Sequence, residues 1–199
     1  MTSLDPRARE VLDFWFGAPD SDDFGRARKI WFRKREAFDA QLRERFGALL
    51  DAACAGELDA WCVTPEGALA LIVVLDQFSR NCHRGTPRAF AADAHALRIA
   101  RAMVARGDDL KLPTAQHRAF AYLPFEHAEN AEAQRESVRL FGELAKSAEG
   151  GEGGDYYDYA LKHANVIERF GRFPHRNALL GRASSEDETA FLSEPGSSF

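Results

Sequence analysis

Four polar side chains lie together in the motif LDQFSRN, at a spacing that suits an ion pair or a ligand-binding wall. Asp76 and Arg80 are four positions apart, as are Gln77 and Asn81, so each pair shares one face of a helix. The motif directly follows the most apolar stretch of the chain, which predicts partial burial of Asp76 and Arg80. We expect either an internal ion pair with capping amides or part of a binding site.

A second polar motif, LPFEHAE, carries side chains that bind divalent metals or move protons. Glu126 and Glu129 are three positions apart, and His127 lies between them, just after Pro124 interrupts the backbone. The motif lacks the HExxH spacing of zinc proteases and the ladder of oxygen ligands of a calcium loop. The sequence therefore predicts a capped helix junction here rather than a metal site.

A third group of polar residues lies in the segment HANVIERFGRFPHRNALLGR, which spans residues 163–182. Arg172, His175, Arg176 and Asn177 follow a glycine that ends a helix and lie on both sides of Pro174. Backbone amides at the start of a new helical turn attract anions, and arginine presents a planar fork to a carboxylate or phosphate. His163, in contrast, shares a helix face with Ile167 and Phe170, which predicts a core histidine.

These three motifs predict, as a first hypothesis, a helical binding protein with a pocket for a small anionic ligand or a peptide carboxylate. The basic side chains of the third motif motivate this hypothesis, because the chain as a whole is acidic. The predicted ligand-binding residues are Asp76, Gln77, Arg80, Asn81, Arg172, His175, Arg176 and Asn177.

Two other functions remain open at this point. A hydrolase, with or without a metal ion, would use His127 or His175 as general base and Glu126 or Glu129 as its partner. A structural or interaction module would instead pair the arginines internally with Asp76, Glu126 or Glu129 in a closed network. A binding or catalytic site and a closed network both require the three motifs to lie close together, so an open cavity beside them would distinguish the two. The sequence alone leaves enzyme activity undecided.

Composition and charge exclude several classes of protein. The 199 residues are 45% hydrophobic and 29% charged, with a net charge of −5, which disfavours a nucleic-acid or anionic-membrane partner. Cys54, Cys62 and Cys82 are odd in number and lack CxxC spacing, so we expect free thiols. The longest apolar run, Ala68–Leu75, is far shorter than the roughly 20 residues of a membrane span. We expect a cytoplasmic protein, and the absence of nucleotide-binding glycine motifs predicts no cofactor.

The elements that position these motifs are predicted to be helices throughout. Apolar residues recur at helical spacing between Arg26 and Leu50, and the almost wholly apolar segment from Pro65 to Asn81 is the expected central helix. Proline, capping residues and glycine mark the other helix ends. We expect an all-α single domain over residues 1–199, with about eight to ten helices in stacked antiparallel pairs. A flexible glycine-rich loop is expected at 149–154 and a loose tail at 194–199.

The order of these motifs resembles a known family. VLDFWFG, LALIVVLDQFSRN, FAYLPFEHAE and RFGRFPHRNALLGR together resemble the uncharacterised bacterial family called domain of unknown function 924, over nearly the whole chain. The resemblance implies an all-helical, tetratricopeptide-like fold and no particular activity. Ala128 stands where a serine is more usual in the family. The family motif residues correspond here to Asp76, Gln77, Arg80, Asn81, Pro124, Glu126, His127, Glu129, His163, Gly171, Arg172, Pro174, His175, Arg176 and Asn177.

Overall fold

The computed structural model describes residues 3–31, 33–147 and 154–197, and every regular element within them is a helix. This confirms the prediction of an all-α fold. The α-helices are α1 (Pro6–Phe16), α2 (Glu36–Cys54), α3 (Pro65–Ile72), α4 (Ser79–Cys82), α5 (Asp93–Ala105), α6 (Ala115–Glu126), α7 (Ala131–Ser147), α8 (Gly154–Phe170) and α9 (Glu186–Leu192). Short 3₁₀ segments cover Asp59–Val63, Pro87–Phe90, Asp109–Lys111 and Pro174–Arg176, and one π-helical turn covers Val73–Phe78.

Local side-chain chemistry explains where these helices begin. The Asp5 carboxylate accepts the backbone N–H of Arg7 at the start of α1, and the Thr64 hydroxyl accepts that of Gly67 at the start of α3. Ser185 and Glu188 form a reciprocal capping box at the start of α9. Such caps satisfy backbone donors that the helix itself leaves unpaired.

The predicted central helix is present and buried. Helix α3, the π-helical turn and α4 run continuously from Pro65 to Cys82, and every residue from 67 to 79 is buried. This continuous helix packs against α1, α2, α5 and α6, which accounts for its lack of a polar face. The π-helical turn, a rare element that often occurs at functional sites, places Asp76 inside the protein.

Helices α6, α7 and α8 pack against one another in chain order, as successive members of stacked helical pairs do. The tetratricopeptide-like description is therefore a loose one that agrees with this arrangement. Aromatic rings fill the core beside them: Trp15 packs against Trp31, Phe78 and Phe120, with ring centroids 5.5–6.2 Å apart. This packing fixes the helices that carry the polar motifs.

One helix boundary differs clearly from the sequence-based expectation. The helical pattern predicted between residues 26 and 50 begins only at Glu36. Arg28 Nη1 and Trp31 Nε1 each donate to the carbonyl oxygen of Trp15 at 3.0 Å, so the preceding residues fold across the end of α1 instead. These long-range bonds satisfy the last carbonyl groups of a helix, which a pattern of apolar residues does not reveal.

The predicted glycine-rich loop at 149–154 lies outside the described residues, except that α8 begins at Gly154. Within the predicted tail, Ser197 is buried, and its hydroxyl donates to the carbonyl oxygen of Leu192. No helix in the described part of the chain is long and apolar enough to cross a membrane.

Candidate functional site

Asp76 is the most completely buried acid of the predicted motifs, with 1% of its surface exposed. Its carboxylate accepts hydrogen bonds from Gln77 Nε2 at 2.7 Å and His127 Nδ1 at 2.8 Å, and Arg80 Nη1 lies 3.0 Å away. Burial by itself would raise the pKa of Asp76, but the charge of Arg80 and the hydrogen bonds hold it well below the ordinary value. Asp76 is therefore a permanent negative charge inside the protein.

His127 lies at the C-terminal end of α6 and contacts both carboxylate oxygens of Asp76 through Nδ1, at 2.8 and 3.0 Å. This contact leaves Nε2 as the nitrogen that accepts a proton, and Nε2 has no hydrogen-bond partner among the described residues. Burial and the charge of Arg80 lower the pKa of His127 below 6.5, so the ring is neutral at pH 7. A neutral imidazole held by a buried carboxylate is the arrangement of a general base.

Glu126, the residue before His127, points into a different part of the same cluster. Its Oε1 lies 3.3 Å from Nδ1 of His163, and its buried Oε2 has no hydrogen-bond partner within the described chain. Burial and the nearby charge of Asp76 raise the pKa of Glu126 to about 8, so this carboxyl group carries a proton at pH 7. Two acids of one cluster thus have opposite protonation states.

Two arginines meet at a single acid, Asp93, the first residue of α5. Arg80 donates to both oxygens of Asp93 at 2.8 and 3.0 Å, and Arg176 Nη1 donates to Oδ2 at 3.2 Å. The Arg176 guanidinium lies between the rings of Phe90 and Phe173, 4.6 Å from each centroid, and its Nη2 donates to the carbonyl oxygen of His127. Arg176 thus connects the third motif to the second.

The structure therefore brings together most, but not all, of the predicted residues. We use the name Asp76 cluster for the buried polar group that it forms. The Asp76 cluster consists of Asp76, Gln77, Arg80, Asp93, Glu126, His127, His163 and Arg176.

Three predicted ligand-binding residues contact other partners. Arg172 donates to both carboxylate oxygens of Glu188 at 2.6 and 2.8 Å. Asn81 donates to Asp39 on α2 at 2.8 Å. Asn177 donates to the hydroxyl of Ser184 at 3.0 Å. These side chains hold neighbouring segments together and do not extend the Asp76 cluster.

Glu129 and His175 flank the Asp76 cluster. Glu129 accepts a two-pronged contact from Arg182, at 2.6 and 2.8 Å, and the backbone N–H of Phe173. His175 is half-buried, its ring centroid lies 5.7 Å from that of Phe173, and burial together with the charge of Arg176 lowers its pKa to about 4. The hydrolase hypothesis named both as candidates for a His–Glu pair, and Glu129 is paired with Arg182.

Sequence reasoning missed Asp93 and misassigned the acid that orients His127. The proposed partners were Glu126 and Glu129, whereas the bond is made by Asp76, 51 positions away. Asp93 belongs to no motif, and its one signal was an acidic side chain at the start of a helix. Arg176 does form an internal ion pair, as the closed-network alternative predicted. Its partner is Asp93, however, and not Asp76, Glu126 or Glu129.

Two open surface grooves lie away from the Asp76 cluster. One of about 420 Å³ is lined by Arg169, Phe170, Arg172, Ser185, Asp187 and Glu188. Another of about 340 Å³ is lined by Lys34, Glu36, Asp39, Arg43, Asn81, Arg84 and Gly85. The Asp76 cluster reaches solvent at Arg80, Asp93 and His127, whose side chains are 15–18% exposed.

Charge and ligand chemistry limit what the Asp76 cluster can do. Asp76 and Asp93 balance Arg80 and Arg176, while His127 and Glu126 are uncharged at pH 7. Among residues 3–31, 33–147 and 154–197, no group of three or more His, Cys, Asp or Glu side chains is arranged to hold a metal ion. The arrangement is suited to moving a proton at His127.

Comparison with known proteins places the chain among uncharacterised bacterial proteins. The model of a family described as "Bacterial protein of unknown function (DUF924)" matches residues 11–196. A solved structure of a protein of unknown function, ATU0120 from Agrobacterium tumefaciens, is 38% identical, with a TM-score of 0.81 over 94% of this chain and 97% of that one. No curated protein matches the chain.

Proposed function

We propose that this chain, which belongs to the bacterial protein family of unknown function DUF924, is a hydrolase-type enzyme that uses His127 as a general base. One observation carries the proposal: both oxygens of the buried Asp76 carboxylate contact Nδ1 of His127. This contact fixes the tautomer and the orientation of the ring, and it stabilises the imidazolium that forms when Nε2 takes a proton.

The surroundings of His127 support the proposal. The side chain is 15% exposed, so water and a small substrate group reach it, while Asp76 beneath it is 1% exposed. The lowered pKa of His127 keeps the ring in its neutral form at pH 7, which is the form that accepts a proton in general-base catalysis. His127 would take a proton from a water molecule as the water oxygen attacks the substrate, and would return that proton to the leaving group.

Binding of an anion alone has weaker support. Arg172 already contacts Glu188, and Arg80 and Arg176 share Asp93, so each predicted anion-binding arginine has a carboxylate partner within the chain. A small anion or peptide carboxylate would have to displace Asp93 to reach the two guanidinium groups. The balanced charge of the Asp76 cluster leaves no surplus positive charge for it.

A hydrolase panel with matched variants tests the proposal. The native chain is assayed on ester, amide, phosphoester and glycoside substrates beside His127→Gln and the control His83→Gln. Within the described chain, the side chain of His83 forms no hydrogen bond or ion pair with the Asp76 cluster. We expect turnover of at least one substrate class and a decrease of kcat/KM by about 100- to 10,000-fold in His127→Gln only. Circular dichroism checks that both variants fold.

Equal turnover by the native chain and a folded His127→Gln variant would refute the proposed role of His127. Absence of turnover on every substrate class would count against a hydrolase. Metal analysis of the active protein separates a metal-assisted hydrolase from one that acts through His127 alone.

A further inference from the structure

Glu126 has an unusual environment for an acid, even within the Asp76 cluster. It is 4% exposed, no Lys or Arg side chain within the described residues forms an ion pair with it, and its Oε2 is buried without a hydrogen-bond partner. A buried carboxylate in this position would be costly, because both a charge and its hydrogen bonds would be unsatisfied. The geometry therefore favours the uncharged acid.

The groups that face Glu126 come from three elements. Asp76 faces it from the π-helical turn, and His163 and Tyr156 face it from α8. On the side of α7, the amide of Gln134 donates to the backbone carbonyl oxygen of Glu126 at 2.6 Å. The nearest charge is therefore another negative one, and burial together with this charge raises the pKa of Glu126 to about 8.

His163 connects Glu126 to the proposed base. Its Nδ1 lies 3.3 Å from Glu126 Oε1, and its ring packs edge-to-face against His127 at 6.2 Å between centroids. Asp76 is a second link, because its charge acts on Glu126 and its carboxylate contacts His127. In a buried environment, a full charge on Glu126 would therefore raise the proton affinity of His127.

We propose that Glu126 is a positioning residue for His127, which in its uncharged acid form keeps the His127 ring neutral and ready to accept a proton. This inference rests on the proposed function of His127. With Glu126 uncharged, the Asp76 cluster has no net charge. If Glu126 were ionised, the cluster would carry a net negative charge, and the proton affinity of its imidazoles, His127 among them, would rise.

Nuclear magnetic resonance of the ring nitrogens tests the inference without a substrate. The chain is labelled with ¹⁵N-histidine, His127 is assigned with the His127→Gln variant, and its Nε2 shift is followed from pH 5 to 9.5. We expect two steps in the native chain: one below pH 6.5 from the ring itself, and one close to pH 8 from Glu126. The upper step should disappear in Glu126→Gln and remain in the surface control Glu132→Gln.

The same variant has a catalytic readout that a merely structural role would not change. For any substrate that requires His127, the native pH–rate profile should show an inflection close to pH 8. Glu126→Gln should lose that inflection, and Glu126→Asp should restore one.

The outcomes separate this inference from the proposed function. An upper step that persists in Glu126→Gln, or that is absent from the native chain, overturns the role of Glu126 and leaves His127 untouched. An upper step that depends on Glu126, in a chain that hydrolyses nothing, supports the coupling and overturns the enzyme.

Discussion

The carboxylate of Asp93 stabilises two arginines that lie side by side inside the protein. Arg80 and Arg176 both lie over the ring of Phe90 and both donate to Asp93, so one carboxylate offsets the repulsion between two guanidinium groups. Burial and the charge of Arg80 lower the pKa of Arg176 to about 10, because both disfavour its charged form.

Removal of the Asp93 charge should destabilise the fold and create an anion site. For Asp93→Asn we expect a loss of about 3 kcal/mol in the free energy of unfolding, because the buried Arg176 loses its counter-ion and Arg80 keeps only Asp76. The exposed pair of Arg88 and Asp51 provides a control: Asp51→Asn should change stability by less than about 1 kcal/mol. Urea denaturation measures both variants.

Phosphate adds a second readout to the Asp93 variant. If the arginine pair has the affinity for anions that the sequence predicted, millimolar phosphate should stabilise Asp93→Asn more than the native chain. Equal stability of Asp93→Asn and Asp51→Asn would contradict the structural role of Asp93, and an equal phosphate effect on the native chain would favour a binding function.

At the residue level, sequence reasoning found the motifs but not their pairings. Asp76 and Arg80 were predicted to pair because a helix brings residues four apart together, and they do. The orientation of His127 by Asp76 depends on the packing of α6 against the π-helical turn. Neighbouring residues such as Glu126 and His127 project in different directions from a helix, so adjacency in sequence was a misleading guide.

Among the helices, α6 shows why local signals are incomplete. Pro124 was expected to interrupt the backbone, yet α6 continues through it to Glu126. A proline near the end of a helix removes only one backbone donor, and the packing of α6 against α3, α5 and α7 holds the last turn in place. That last turn delivers Glu126 and His127 to the Asp76 cluster.

The contact between α3 and the preceding 3₁₀ segment depends on a single missing side chain. A Cβ atom on Gly67 would overlap the backbone carbonyl oxygen of Trp61, whereas one on Gly47, within α2, would meet nothing within 4 Å. We expect Gly67→Ala to destabilise the protein by about 1–3 kcal/mol, and Gly47→Ala to stabilise it by up to about 1 kcal/mol. Chemical denaturation of both variants checks the contrast, and similar shifts in the two would contradict the close approach.

At the scale of the whole molecule, buried titratable groups determine how stability varies with pH. Burial lowers the pKa of His117 and His175 to about 4 and that of His163 to about 3. The unfolded chain binds protons at these rings below pH 6.5 and the folded chain does not, so their stabilisation is lost as the pH falls towards 4. The effect of Glu126 on stability has the opposite pH dependence. Its stabilising contribution to the free energy of unfolding is complete below pH 4.5 and is lost as the pH rises through 8.

The free energy of unfolding should therefore reach its maximum between pH 6 and 7. Each group with a shifted pKa changes the free energy of unfolding by about 1.4 kcal/mol per pH unit between its unfolded and folded pKa values. Below pH 6.5 the three histidines outweigh Glu126, so stability falls as the pH falls. Above pH 6.5 Glu126 alone among these four groups acts, so stability falls as the pH rises. Urea titrations at intervals from pH 4.5 to 9 measure this curve. In Glu126→Gln the alkaline decline should flatten, and a native curve that rises steadily to pH 9 would contradict the assignment.

The overall architecture was more predictable than the site. The helical class follows from spacing and caps that each segment carries by itself, and the apolar run from Ala68 to Leu75 identified the central helix. The Asp76 cluster instead depends on which helices meet, and no local pattern encodes that. Arg172 illustrates the difference. Its guanidinium group does bind a carboxylate through two nitrogens, as predicted, but that carboxylate belongs to Glu188, the capping residue of α9.

The bond between Arg176 and Asp93 can form only late in the synthesis of this segment of the chain. It joins residues 83 positions apart, and the bond from Arg176 to the backbone of His127 spans 49. A ribosome releases Asp76, Asp93 and His127 well before Arg176, because synthesis runs from the N-terminus. A nascent chain therefore contains its proposed base before it contains the arginine that bonds to the backbone of that base.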